Sequence, residues 1–264
     1  MEIKVIENNK QAGKVTFILK DSTAAFANTI RRLATAEVPT MAIEEVEFSK
    51  NNSVLYDEIV AHRLGLVPLK TDLKSYNLPD KCKCEGKGCA RCQLKLVLKS
   101  DKGDEMVYAS QLKSKDPAVK PVYPDMPIVK LLKNQSIEFE ATAVLGKGKN
   151  HVKWSPCHTY YKHKPVAEID KGIKNPEEIV EAVPGGVFEI KNDTLVAKDS
   201  LYKYDLAGVA EKVSHGKVRI KNTNDFVFNI ESFGQLSCKE ILKVSMDMLD
   251  EQLDEIAELV KKLE

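Results

Sequence analysis

Seven apolar residues near the C-terminus, Leu242, Met246, Leu249, Leu253, Ile256, Val260 and Leu263, follow one another at alternating steps of four and three. That spacing is a heptad stripe over three full repeats, and it commits the chain from about Gln235 onward to one long helix. Ile241, Met248 and Ala257 flank the stripe and make it wider than a two-stranded seam. A helix of this length with an apolar face has to bury that face, against a sheet of its own chain or against a partner. The periodicity leaves both open.

The start of the chain complements this end. Residues 2–7 and 14–20 read as a β-hairpin around Asn8–Gly13. Asp21, Ser22 and Thr23 offer an N-cap for a helix over about 23–36, with Phe26, Ile30 and Leu33 along one side. Val38-Pro39 breaks that helix, and residues 41–48 suit a strand. Toward the other end, Lys217–Ile220 and Asp225–Ile230 read as a second strand pair around Asn222-Thr223-Asn224. First and last segments together predict a small sheet plus two helices, interrupted by a long insertion.

Within the insertion, Leu55 to Leu69 predicts a short amphipathic helix with apolar residues at 55, 59, 60, 64 and 66. Gly65 is placed as its C-cap, and Pro68 ends it. Asp57, His62 and Arg63 admit a reading as acid–base machinery. The preferred reading is a salt-bridged helix presented to a neighbouring surface. Strands are expected near 94–99, 105–109 and 136–145. Prolines 117, 121, 124 and 127 make Lys115–Pro127 an extended, semi-rigid connector. Residues 166–215 form another compact piece: a helix opening at Asn175-Pro176, a hairpin over 187–197 around Asn192-Asp193, and a helix over 201–213. The fold class is therefore α+β.

Four of the six cysteines fall within eleven residues, as Cys82, Cys84, Cys89 and Cys92. The spacing C-x-C-x4-C-x2-C lets two thiolates reach one ion from each turn, and Gly86 and Gly88 permit the reversal between the pairs. Four thiolates suit a closed tetrahedral site, and the expected occupant is one structural zinc ion. The alternative is an iron–sulfur cluster on the same cysteines. Lys81, Lys83, Lys87 and Arg91 offset the charge of such a site. Cys157 and Cys238 stand alone and read as small buried residues. His151, His158 and His163 lie near Trp154, but their spacing fits no standard ligand pattern.

Three of these segments resemble one family in the right order. They are Ala27-Asn28-Thr29-Ile30-Arg31-Arg32-Leu33 with Glu37-Val38-Pro39-Thr40, the run Leu55–Leu69, and Gly146–Trp154. Each is similar to the matching stretch in the family of archaeal RNA polymerase D subunits. That family is related to the third-largest subunit of eukaryotic RNA polymerase II and, more distantly, to the amino-terminal domain of the bacterial alpha subunit. The resemblance runs from about residue 3 to the C-terminus. It implies a discontinuous dimerisation domain (1–49 and 216–264), an inserted mostly-β domain (50–165) with the metal loop at 81–93, and a ferredoxin-like domain (166–215). Many archaeal members carry cluster-binding cysteines in that last domain. Here 166–215 contains none, so no cluster is expected in it.

The resemblance further implies a non-catalytic assembly subunit, with no catalytic residue in this chain. Its partners would be the small subunit L as a heterodimer, the small subunits N and P, and the second-largest catalytic subunit. Phe26, Asn28, Ile30, Arg31, Arg32 and Leu33, with Leu242, Met246, Leu249, Leu253, Ile256 and Val260, would face partners. His62 and Arg63 would do so from the insertion. Two rival functions are a zinc-dependent nucleic-acid-binding module and an iron–sulfur redox protein. With 40 basic and 39 acidic residues, the formal net charge of +1 argues against affinity for nucleic acid from overall charge, and no sequence-specific DNA binding is expected. No apolar run approaches the roughly 18 residues of a membrane span. Nor does Met1-Glu2-Ile3-Lys4 resemble a signal peptide, so a cytoplasmic location is expected.

Overall fold

A computed structural model describes residues 1–101, 103–173, 175–205 and 207–263. In chain order the first elements are β1 (Glu2–Asn9), β2 (Lys14–Lys20), α1 (Ala24–Arg32), β3 (Pro39–Asn51), α2 (Asp57–Gly65), β4 (Gln93–Ser100), β5 (Glu105–Tyr108), β6 (Lys113–Ser114), β7 (Pro127–Leu131) and β8 (Ile137–Lys147). There follow β9 (Cys157–Ile169), α3 (Pro176–Ala182), β10 (Phe188–Lys191), β11 (Thr194–Ala197), α4 (Val209–Val213), β12 (Val218–Ser232) and α5 (Cys238–Lys261). The mixture of helices and several sheets agrees with the expected α+β class. Two compact units result. One holds Met1–Asn8, Val15–Asn28 and Tyr160–Asn229, and the other Asn9–Lys14, Thr29–Thr159 and the chain from Ile230 on.

The smaller unit is built on a sheet of order β1-β2-β12-β9. Strand alternation sends Phe17 and Ile18 to opposite faces. Phe17 stacks on Phe228 at 5.1 Å, and Tyr161 stacks on Phe228 at 5.2 Å. Ile18 packs instead with Val227, Tyr202 and Ile6. A further core joins Ile179, Val183, Val187, Phe188, Leu195 and Leu201. The β10–β11 hairpin turns at Asn192 and Asp193, both at positive φ, as a two-residue primed turn requires.

Three local expectations change here. The strand pair expected over 217–230 is one strand of fifteen residues, β12. Asn222-Thr223-Asn224 stays extended because β9 holds it: His163 Nδ1 donates to the Thr223 carbonyl at 2.8 Å, and the Thr223 hydroxyl donates to the Lys164 carbonyl at 2.8 Å. The helix expected over 201–213 is a 3-10 turn at Asp199–Lys203 and the short α4. Lys164 and Lys162 pair with Asp199 and Asp205 and tether that segment, while Leu206 lies outside the described residues. Asn175 precedes Pro176 but gives α3 no side-chain cap.

In the larger unit the sheet order is β3-β8-β4-β6. The antiparallel register of β3 and β8 runs from Pro39↔Lys147 to Asn51↔Ile137. Inward residues Ile137, Phe139, Ala141, Ala143 and Leu145 of β8 join Leu94, Leu96 and Leu98 of β4 in one core. Helix α2 adds Val60 and Leu64, both fully buried. Ile59 and Leu66, expected on the same apolar face, are about half exposed at 48% and 45%. Leu66, at αR angles, is the C-cap, so Gly65 makes no left-handed turn. Arg63 is spent inside the fold, donating from Nε to the Ile128 carbonyl and from a terminal nitrogen to the Pro127 carbonyl, both at 2.8 Å. The proline-rich connector lies along residues 68–70, with Val122 N donating to Pro68 O and Lys70 N to Lys120 O, each at 2.8 Å.

Helix α1 is capped by the Thr23 hydroxyl, which accepts from Phe26 N, and it widens into a π-helical turn at Leu33–Glu37. The Thr35 hydroxyl bonds the Arg31 carbonyl at 3.0 Å, a side-chain competitor of the kind that loosens a helical ladder. The opened turn is fastened to the β8–β9 connection: Ser155 Oγ donates to Thr35 O, Lys149 N donates to Ala36 O, and Lys147 pairs with Glu37. Helix α5 packs on this turn. It starts with a capping box in which the Ser237 hydroxyl accepts from Glu240 N and the Glu240 carboxylate accepts from Ser237 N. Ile241 and Ser245 are buried, whereas every residue from Glu251 to Leu263 is exposed.

Two outcomes follow from these contacts. A Cβ at Gly148 would lie 2.2 Å from the Thr35 carbonyl oxygen, so Gly148→Ala is expected to cost about 1–3 kcal/mol in denaturant unfolding. Gly208→Ala, where the new methyl meets nothing within 4 Å, stays within about 0.5 kcal/mol. Hydrogen bonds from the Ser237 hydroxyl and then its backbone N–H hold the Glu240 carboxyl below the usual glutamate range. A lowered folded value means that this stabilisation is complete above the ordinary glutamate value and is lost as pH falls through the folded one. Glu240→Ala is expected to cost about 1 kcal/mol at neutral pH, and in thermal melts the gap to wild type should narrow as pH falls below the ordinary glutamate range.

Candidate metal centre and partner surfaces

The loop between Pro79–Lys81 and β4 brings its four thiols together. Cys82 N donates to Pro79 O, Glu85 N to Cys82 O, and Lys87 N to Cys84 O, making successive turns. Glu85, Gly86 and Gly88 take positive φ, so the reversal expected from the glycines occurs where they stand. Cys84 Sγ lies 3.5 Å from both Cys82 Sγ and Cys92 Sγ, while Cys89 Sγ lies 3.6 Å from Cys82 Sγ and 3.8 Å from Cys92 Sγ. All four sulfurs are within 4.8 Å of one another. Metal–sulfur bonds of about 2.3 Å give a tetrahedron with edges of about 3.8 Å, so the donor set fits a single tetrahedral ion and is compatible with zinc.

The thiols hold their protons unequally. Hydrogen bonding with Cys92 and then with Cys82 brings Cys84 down to about 6. Burial pushes Cys92 up to about 12, against the pull of the Cys89 N–H, which donates to its sulfur at 3.2 Å. Lys81, Lys83, Lys87 and Arg91 are all exposed around the loop, with Lys87 paired to Glu85 at 3.8 Å.

Partner candidates fall into covered and uncovered sets. On α1 and the turn after it, Ile30 and Leu33 are buried within the chain, Phe26, Asn28 and Arg31 are half-buried, and Arg32 is exposed. On α5, Leu242, Met246 and Leu249 are half-buried, but Leu253, Ile256 and Val260 expose 55%, 58% and 52% of their surface. His62 is exposed on α2, and so are Ile59 on the helix and Tyr56 and Leu66 at its two caps, although Ile59 and Leu66 are expected on the covered apolar face.

Residues 43–158 match the family model described as the RNA polymerase Rpb3/RpoA insert domain. A DNA-directed RNA polymerase subunit Rpo3 of Methanosphaera stadtmanae is 38% identical over the whole of both chains. The Rpo3 subunit of Methanopyrus kandleri is 37% identical over 94% of this chain and 92% of its own. That of Pyrococcus horikoshii is 36% identical over 100% and 99%. The chain belongs to the Rpo3 family. It is therefore a subunit of a DNA-directed RNA polymerase, a nucleotidyltransferase complex assembled with other subunits.

Other residues singled out in this Rpo3 chain have structural partners. Cys157 and Cys238 are buried, with their sulfurs against the Ala34 and Gly13 carbonyls, and burial raises both thiols, Cys157 to about 12. His151 Nδ1 accepts from Lys153 N. Trp154 donates to the Val144 carbonyl and lies over Gly146, where a Cβ would come within 2.3 Å of its ring. Among the described residues no helix is long and apolar enough to cross a membrane. Elemental analysis is the direct check on the thiol cluster. Cys89→Ser should reduce bound metal from about one ion per chain to near zero, while Cys238→Ser, outside the loop, leaves it unchanged.

Proposed function

We propose that this chain is the assembly subunit of its polymerase, pairing with a smaller subunit equivalent to subunit L and carrying no catalytic residue of its own. The observation that carries the reading is the outer half of α5, which ends the chain with Leu253, Ile256 and Val260 uncovered on a well-capped helix. An apolar row on an otherwise polar helix is what an obligate subunit leaves open for its partner. Leu242, Met246 and Leu249 continue the row inward, and Arg31 and Arg32 offer further contacts from the end of α1, where Ile30 and Leu33 are already covered by the chain itself.

In this reading 1–49 and 216–264 form the dimerisation domain, 50–165 the insert, and 166–215 a ferredoxin-like domain that holds no cluster. The heterodimer then collects the small subunits N and P and docks the second-largest subunit through the insert, where His62, Arg63 and the exposed Tyr56, Ile59 and Leu66 lie. Arg63 acts there by shaping the surface, since its guanidinium already holds the start of β7. The loop Cys82–Cys92 holds one structural zinc. Sulfur separations below 4.8 Å support one ion, because a multi-iron cluster spreads its cysteines over separate irons. The chain works in the cytoplasm and reads no DNA sequence itself.

Size-exclusion chromatography with light scattering, on this chain alone and mixed with the small subunit, tests the reading. A one-to-one complex carrying about one zinc per chain is expected. Leu253→Asp with Ile256→Asp should weaken the complex by about a hundredfold or more, since each apolar side chain withdrawn from the interface forfeits about 1.5–3 kcal/mol. A monomer indifferent to the partner would overturn the proposal.

A further inference from the structure

One short segment joins the cysteine loop to the start of α5. Thr71 N donates to the Gln235 carbonyl at 3.1 Å, and Lys70 Nζ donates to the Gly234 carbonyl at 2.8 Å. Six positions on from Thr71, Asn77 N donates to the Arg91 carbonyl at 2.8 Å, and Arg91 directly precedes the thiol of Cys92. The residues between are fixed internally. Asp72 accepts from Lys74 N at 2.9 Å and from the Ser75 hydroxyl at 2.6 Å, and Tyr76, only 7% exposed, donates its hydroxyl to Asp116 at 2.7 Å.

The receiving end leaves little freedom. Gly234 sits at φ +94° with Val122 against it, 2.4 Å from where a Cβ would stand. Gln235 and Leu236 are buried, and the capping box of Ser237 and Glu240 follows at once. A displacement of the Gln235 carbonyl would therefore be felt at the first turn of α5, where Ile241 N donates to Ser237 O at 2.9 Å.

We propose that the cysteine loop, once loaded with its metal ion, is a brace for the start of α5, acting through Lys70–Asn77, with the Tyr76–Asp116 hydrogen bond as a second, metal-independent anchor. This rests on the metal reading above and links metal supply to the helix assigned there to the partner. The physical basis is direct. Four thiols crowded within 4.8 Å have no covalent tie, so a bound ion is what confines the loop and with it the Arg91 carbonyl. Loss of that confinement releases Asn77, and local opening spreads along hydrogen-bonded neighbours before it reaches separate cores.

Amide hydrogen exchange on the full chain, metal-loaded and metal-stripped, tests the brace. Elemental analysis and thiol titration confirm each state. Stripping should reduce protection of the amides of 240–244 by several-fold and leave the β10–β11 hairpin unchanged. In Tyr76→Phe the loaded protein should resemble wild type, whereas stripping should reduce protection by about tenfold more than in wild type, because the second anchor is gone. Equal protection at 240–244 in loaded and stripped protein overturns the brace, as does a loss spread evenly over the chain. A drop that Tyr76→Phe does not enlarge removes Tyr76 from the path and overturns the two-anchor form. Exchange needs no partner, so failure of heterodimer formation leaves this test standing. A chain that binds no metal overturns the metal reading and the brace together, while one that binds it with unchanged exchange overturns only the brace.

Discussion

The antiparallel pairing of β3 with β8 is the constraint on which the larger unit depends. Its eleven paired positions join residues 86 to 108 places apart in the chain. Closing a loop of that size is costly once, but each doubling of length adds only about 0.6 kcal/mol, so the pairing tolerates a long excursion between its strands. Everything in that excursion then answers to β8. Strand β4 pairs along its other edge, and Val60 and Leu64 of α2 join the same core. The β3–β8 register shifts between Ile43 and Glu45 and between Phe48 and Lys50, and Lys153 reaches the Ile43 carbonyl beside the first shift.

Stability and recognition draw on different parts of the surface. Ion pairs such as Lys14–Glu231 and Lys99–Glu138 are largely exposed and contribute little each. The buried aliphatic core provides the stability, although many large apolar side chains stay exposed, most of them scattered singly over the strands and loops. Leu253, Ile256 and Val260 on the outer half of α5 are exposed at helical spacing, which is the feature the proposed pairing rests on. A balanced net charge suits a subunit held by apolar contact better than one gathered by long-range attraction.

Local punctuation decided what could be read before the structure. Asn192-Asp193 announces a hairpin because few other residues accept its backbone, and four cysteines at tight spacing announce a metal site because few other arrangements need them. The α5 stripe was equally plain. What periodicity could not show is where its cover ends, since that depends on the π-helical turn at Leu33–Glu37, more than 200 positions away. Asn222-Thr223-Asn224 misled for the same reason: a polar triplet reads as a turn until His163 and Lys164 of a neighbouring strand supply its partners. Arg63 reads in the sequence as a partner-facing residue and Tyr76 goes unnoticed, because their acceptors, the Pro127 and Ile128 carbonyls and Asp116, lie 40 to 65 residues off. On α2, Ile59 and Val60 are adjacent apolar residues with opposite fates, and only the position of the sheet decides between them.

The bare outer turns of α5 also bear on how much of this chain a cell keeps. A helix end with no cover frays, and frayed backbone bearing leucine and isoleucine is accessible to quality-control proteases. Under the pairing proposed above, a surplus copy is the copy most readily destroyed, and one covered by its partner is spared. Stoichiometry among the subunits can then be enforced by degradation after synthesis, without matched rates of translation.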